Sequence, residues 1–81
     1  MTPQPPHNEP MSQWVVCWSP SDHPGKFTVR RHFVDAGGHW PTNEGYVSSN
    51  IEWIRRVMQY KGLACIPRFP EDNPVIVEVW L

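Results

Sequence analysis

The sequence predicts a small α+β fold, in which a mainly antiparallel sheet of three to four strands carries one amphipathic helix on one face. Three observations lead to this prediction. Segments 13–18 (QWVVCW), 26–34 (KFTVRRHFV) and 75–81 (VIVEVWL) have the apolar patterns of strands. Segment 51–61 has the periodicity of a helix. A chain of 81 residues has room for one domain only.

The first two strands are predicted to form a β-hairpin. Segment 13–18 is apolar on both faces, which is typical of a central strand. Residues 19–25 (SPSDHPG) carry strong turn signals, and 26–34 then resumes a strand. Within it Arg31 falls on the apolar face, which indicates either a bulge or an arginine stem lying across a tryptophan.

Two connections are predicted to be irregular. Residues 35–47 (DAGGHWPTNEGYV) contain three glycines and a proline, and are expected to form the longest loop, with a short edge strand near Tyr46 and Val47. Residues 63–74 (LACIPRFPEDNP) contain three prolines and lead into the last strand.

The helix has both of its end signals in the sequence. Ser49 and Glu52 are predicted to form the N-terminal capping box, and Gly62 the C-terminal cap. On a helical wheel one half is mainly apolar and is predicted to face the sheet; it contains Ile51, Trp53, Ile54, Val57, Met58, Tyr60 and Lys61. The other, predicted to face solvent, contains Glu52, Arg55, Arg56 and Gln59.

The order of elements is therefore β-β-α-β. A right-handed crossover through the helix would place the last strand beside strand one and parallel to strand two. The expected sheet order is 2-1-3, with strand one at the centre.

The termini and cysteines indicate the organisation and compartment of the chain. Residues 1–12 (MTPQPPHNEPMS) are predicted to be a disordered or polyproline II tail, and 13–81 the single domain. There is no secretory signal and no apolar run of about 20 residues. Cys17 and Cys65 are interpreted as free thiols, and a cytoplasmic location is expected.

Charge and ligand spacing argue against several classes of function. Seven basic and eight acidic residues give a net charge of −1, without the basic excess of nucleic-acid binders. The four histidines and two cysteines show no paired-ligand spacing, so neither a metal nor another cofactor is expected.

Catalysis is the least favoured class of function. A Cys17 nucleophile with His32 as base across the hairpin is the one enzyme hypothesis, but a mid-strand thiol is usually a small core residue. No orienting carboxylate or oxyanion hole is evident nearby. The glycines of 36–38 (AGG) lack the following Lys–Ser/Thr pair of a phosphate loop.

Tryptophan content and an uncovered sheet face favour protein binding. Five tryptophans are present, and one helix covers only one face of a sheet whose first and last strands are apolar on both. That second face is expected to be capped by loops 35–47 and 63–74, or to bind a partner or a second copy. The predicted partner contacts are Arg30, His32, Trp40, Arg55 and Arg56. RNA or single-strand binding is the alternative, and requires Trp18, Phe27, Phe33 and Trp80 on the face opposite the helix.

Segments 21–31 (SDHPGKFTVRR) and 71–81 (EDNPVIVEVWL) resemble parts of short uncharacterised bacterial and phage proteins, in which a PGKF-V-R hairpin and a terminal VEVWL strand flank a variable middle. The resemblance covers about a quarter of the chain. It implies a small cytoplasmic protein without assigned chemistry. By analogy of class, it implies an inhibitor of a bacterial defence complex of the anti-CRISPR type.

Overall fold

A five-stranded antiparallel sheet and one helix form the fold of residues 11–81, the part of the chain that the computed structural model describes. The elements are β1 (Met11–Trp18), β2 (Phe27–Asp35), β3 (Gly38–Ser48), α1 (Ile51–Tyr60), β4 (Cys65–Pro67) and β5 (Ile76–Trp80). The α+β class is confirmed in this broad form. The tail prediction for residues 1–10 lies outside the described residues, while residues 11 and 12 belong to β1.

The sheet order is β3-β2-β1-β5-β4, and every neighbouring pair is antiparallel. The apolar strand β1 lies between β2 and β5, as its two-sided apolarity predicts. The predicted strand count and the order 2-1-3 are nevertheless wrong, because β3 and β4 extend the sheet at its two edges.

Strand β3 occupies most of the segment predicted to be a long loop. It pairs with β2 across a tight turn, in which Asp35 Oδ1 accepts a hydrogen bond of 2.8 Å from the Gly37 N–H. Proline and glycine are compatible with an edge strand, whose outer side needs no ladder hydrogen bonds. The short edge strand predicted near Tyr46 and Val47 lies within β3. The loop predicted for the rest of the segment is wrong, because the prediction treated Pro41 and Gly45 as strand breakers.

Arg31 lies beside an irregularity in the β2–β3 ladder. The register shifts between Arg30 and His32, but the additional residues belong to β3, and the unbroken β1–β2 ladder keeps Arg31 opposite Trp14 on the apolar face. The bulge predicted to move Arg31 off that face is therefore wrong. The guanidinium of Arg31 lies 4.8 Å from the Phe33 ring centroid, not across a tryptophan. At this irregularity the backbone of Gly45 approaches β2 so closely that a Cβ atom would collide with the Val29 carbonyl oxygen.

The N-cap of helix α1 lies one residue after the predicted N-cap. Asn50, not Ser49, is the N-cap, and its side chain accepts a hydrogen bond of 2.9 Å from the Glu52 N–H. At the other end Gly62 has a φ of 80°, and the Leu63 N–H donates to the Met58 carbonyl. This is the Schellman geometry that Gly62 predicts. No helix within residues 11–81 is long and apolar enough to span a membrane.

The core lies between α1 and one face of the sheet, which we call the helix face. Ile54 and Met58 are fully buried against sheet residues of β1, β2 and β5, which agrees with their place in the apolar half of the helical wheel. The opposite face of the sheet, which we call the open face, carries the alternate residues. The core residues of the sheet are Trp14, Val16, Val29 and Trp80.

Replacing Gly45 with alanine should destabilise the protein by about 1–3 kcal/mol, because the new methyl group forces β3 away from β2. Gly37→Ala is the control, since its Cβ would meet only an ordinary contact with the Asp35 side chain. Urea unfolding measures both changes. Equal stability of the two variants would show that the close approach at Gly45 is relaxed in solution.

Candidate partner-binding surfaces

A buried carboxylate joins the helix to the sheet. The Glu78 side chain lies on the helix face of β5, opposite Val16, and the residue is only 5% exposed. Arg55 donates to it through Nε at 3.1 Å and Nη2 at 2.9 Å. Trp80 Nε1 donates a further hydrogen bond of 2.9 Å. A carboxylate so removed from water needs such donors to stay ionised.

The contacts of Glu78 determine its ionisation. Burial alone would raise the pKa of Glu78, but the hydrogen bonds from Arg55 and Trp80 and the charge of Arg55 outweigh it and hold the pKa below its ordinary value. The hydrogen bond with Glu78 also raises the pKa of Arg55. Both groups are therefore charged at neutral pH. Arg55 was predicted to lie with the freely solvated residues of α1. That prediction is wrong, because its guanidinium binds Glu78.

The exposed side of α1 presents aromatic side chains. Trp53, Arg56, Val57 and Tyr60 border a shallow surface groove of about 230 Å³. Tyr60 is 94% exposed and Trp53 is 43% exposed. The helical wheel placed both aromatics in the half expected to face the sheet. We call Trp53, Arg56, Val57 and Tyr60, together with Tyr46 of β3, the helix surface.

Contact between two aromatic rings joins this surface to the edge strand. The rings of Tyr46 and Trp53 pack edge to face, with centroids 5.7 Å apart. Tyr46 also lies parallel to the Trp14 ring of the core at 6.2 Å. The groove and the outer part of β3 are therefore one continuous surface.

The open face contains a cavity of about 430 Å³. Val15 and Cys17 line it from β1, and Arg30 and His32 line it from β2. Residues 35–47 mostly belong to β3 and are not a loop, but Pro41, Asn43 and Val47 of this segment do line the cavity. The β1–β2 connection, residues 19–26, also borders this cavity. Its lining residues are Pro20, Asp22 and His23.

Strand register separates the proposed catalytic pair. Cys17 lies opposite Thr28, whereas His32 lies opposite Gln13, four positions along β1. This offset corresponds to about 13 Å along the strand. Burial raises the pKa of the Cys17 thiol, and the nearby charge of Arg30 lowers it to a smaller degree. Cys17 and His32 therefore do not form a nucleophile–base pair.

A second histidine lies beside His32. His32 Nδ1 and His39 Nε2 of β3 are 3.0 Å apart, within hydrogen-bond distance. Burial lowers the pKa of His32, and the charges of His39 and Arg30 lower it further. Within residues 11–81 Arg30 makes no ion pair, and no three or more His, Cys, Asp or Glu residues cluster as a metal site.

The aromatic side chains required for nucleic-acid stacking do not lie on the open face. Strand register places Trp18 opposite Phe27, on the same side of the sheet as the core residue Val16. Phe33 shares that side, and Trp80 is buried in the core. The geometric requirement of the RNA alternative is therefore not met.

The five predicted contact residues occupy three places. Arg30 and His32 share the open face, Arg56 belongs to the helix surface, and Trp40 lies opposite Phe33 on the helix side of β3. Arg55 is bound to Glu78. Sequence reasoning missed Tyr46, Trp53 and Tyr60 as surface residues, as well as His39. The one available signal was the aromatic character of Tyr60 at the last turn of α1.

Comparison with known proteins identified no match of any kind: no family model, no curated protein and no solved structure is similar to this chain.

Replacing Arg55 with methionine should lower the free energy of unfolding by about 2–3 kcal/mol, because Glu78 is left buried without its cation. This loss is smaller than the loss expected for a fully buried ion pair, because the Arg55 side chain is 37% exposed. Arg56→Met, the control one residue along the helix, should change stability by less than about 0.5 kcal/mol. Similar losses of unfolding free energy in the two variants, measured by urea unfolding, would contradict the assigned role of Arg55.

Stability should also depend on pH through Glu78. Because its folded-state pKa lies below the ordinary value of 4.5, its ionised form stabilises the fold at neutral pH. That contribution is lost as the pH falls below 4.5 through the folded pKa. Thermal unfolding measured from neutral to acid pH should therefore show that the difference in stability between the original chain and Arg55→Met becomes smaller in acid. A deficit that is constant with pH would exclude this ion pair as its cause.

Proposed function

We propose that this protein is a non-catalytic protein-binding module that docks its partner on the helix surface. The observation that carries the proposal is the exposure of Trp53 and Tyr60 beside Arg56 on one side of a short, well-capped helix. Tryptophan, tyrosine and arginine are the residues most enriched at the energetic centres of protein interfaces.

The surface is organised before a partner binds. Trp53 rests against Tyr46, which in turn packs on Trp14 of the core. The Arg55–Glu78 ion pair restrains the rotation of α1 on the sheet. A partner would therefore lose little affinity in ordering these rings, which is the usual benefit of preorganisation.

The charge of the helix surface indicates the chemistry of the partner. Arg56 makes no ion pair among residues 11–81, whereas Arg55 is engaged with Glu52 and Glu78. A free guanidinium beside apolar rings suits a partner that presents a carboxylate at the margin of an apolar patch. Trp40, which is 44% exposed on the same side of the sheet, is a further contact that we propose.

The sequence resemblance suggests which partners to examine first. Short bacterial and phage proteins with similar hairpin and terminal strands motivate a narrower proposal, namely inhibition of a bacterial defence complex by stoichiometric binding. A compact protein with a small aromatic surface could act in this way by occupying a site on the complex.

The test uses the full chain as bait in a bacterial lysate, with and without nuclease, followed by affinity measurement on the purified captured protein. Arg56→Glu combined with Tyr60→Ser should weaken binding about 30-fold, the equivalent of a hot spot of about 2 kcal/mol. Lys26→Glu combined with Phe69→Ser is the matched control, because it changes one exposed cation and one exposed aromatic residue elsewhere.

Three outcomes would contradict this proposal. Equal loss of affinity in both double variants would mean that no specific surface is used. Capture that disappears with nuclease and falls steeply with salt would favour nucleic-acid binding. The third outcome is that the captured protein is simply a second copy of the chain, which light scattering on the bait alone would show.

A further inference from the structure

Two histidines from neighbouring strands meet at the margin of the open face. His32 belongs to β2 and His39 to β3, and their facing nitrogens, Nδ1 and Nε2, are 3.0 Å apart. Metal-ligand spacing in the sequence could not show this pair, because the two residues share no motif and are joined only by strand pairing. The pair lies on the side of the sheet opposite the helix surface.

The separation of the two nitrogens matches bidentate metal coordination. Imidazole nitrogens bind divalent transition metals at about 2.0–2.1 Å. At the observed separation of 3.0 Å, such bonds would make an angle of about 95° at the metal. That angle is close to the right angle of square-planar or tetragonal coordination, which Cu²⁺ and Ni²⁺ prefer, and smaller than the tetrahedral angle of zinc.

We propose that His32 and His39 bind one divalent late transition-metal ion, Ni²⁺ or Cu²⁺, through Nδ1 and Nε2 respectively. Each neutral ring then keeps its proton on the other nitrogen, Nε2 of His32 and Nδ1 of His39. The proton shared in the hydrogen bond moves by a change of tautomer, so no net proton release is needed. Water completes the coordination of a site with two protein ligands.

Protonation and access are both favourable for this site. Metals bind the neutral imidazole, which is the main form of an ordinary histidine side chain above about pH 7. His39 is exposed, so an ion can reach the pair without any opening of the core. The two strands hold both rings in place in the free protein, which reduces the cost of assembling the site.

One neighbouring positive charge opposes metal binding, and its removal therefore gives a specific test of the proposed site. Arg30 lies two residues before His32 on the same face of β2, about 7 Å away along the strand. Its positive charge repels a divalent cation. Removing that charge should therefore tighten binding by about two- to fivefold, a change that non-specific metal binding elsewhere on the chain would not show.

The experiment is a calorimetric titration of the full chain with Ni²⁺, chosen because Cu²⁺ oxidises thiols and the chain has two free cysteines. The variants are His32→Gln, His39→Gln, the double variant and Arg30→Gln. His7→Gln and His23→Gln are the controls. Loss of an outer-shell partner alone costs about 10- to 100-fold in metal affinity, so each ligand variant should lose at least tenfold.

The expected pattern is distinctive. The double variant should bind more weakly than either single variant, because each single variant keeps one imidazole ligand. Arg30→Gln should bind more tightly, and the controls should match the original chain. Paramagnetic broadening in histidine-ring NMR should affect both His32 and His39 at low Ni²⁺. The proposal is overturned if the double variant binds as tightly as the original chain, or if His23→Gln causes the same loss. If the histidine contact is only structural, the variants will change thermal stability but not Ni²⁺ affinity.

Discussion

The ionised carboxylate of Glu78 is the constraint on which the arrangement of the helix depends. A carboxylate that is 5% exposed requires a cation and further donors, and only the helix supplies the cation, through Arg55. Binding Arg55 to β5 sets the rotation of α1 about its own axis. Ile54 and Met58 then point into the core, while Arg56 and Tyr60 point to solvent. The polar contact and the burial of Ile54 and Met58 thus favour the same rotation of the helix.

The width of the sheet determines the second surface. Because β3 pairs with β2, His39 is brought to His32, and the open face becomes a concave surface instead of a narrow ribbon. The close approach at Gly45 and the bulge beside Arg30 permit this pairing. The helix surface and the histidine pair consequently lie on opposite sides of one thin layer. Two separate binding events could therefore occur without competing for the same residues.

The features that were predicted best depend on residues close together in the sequence. The helix, its Schellman end and the central position of β1 depend on local periodicity and local apolarity, so they could be read directly from residues 13–18 and 51–62. The N-cap was misplaced by one residue because Ser49 and Asn50 are adjacent and are both good caps. Only the end of the strand at 38–48, near Tyr46 and Val47, was predicted, because proline and glycine are breakers in a central strand but acceptable at an edge.

The sequence by itself determined the α+β class, the single amphipathic helix and the antiparallel neighbours of the first strand, because these depend on hydrophobic periods of 2 and 3.6 residues. Only the tertiary structure decided which polar side chains are free and which are bound. Arg55 and Arg56 are adjacent and chemically identical, yet one neutralises a buried carboxylate and the other faces water. That difference depends on Glu78, 23 residues further along the chain, and is set by the packing of the helix on β5. Similarly, His32 and His39 become neighbours only through strand pairing, which no spacing within a single element encodes.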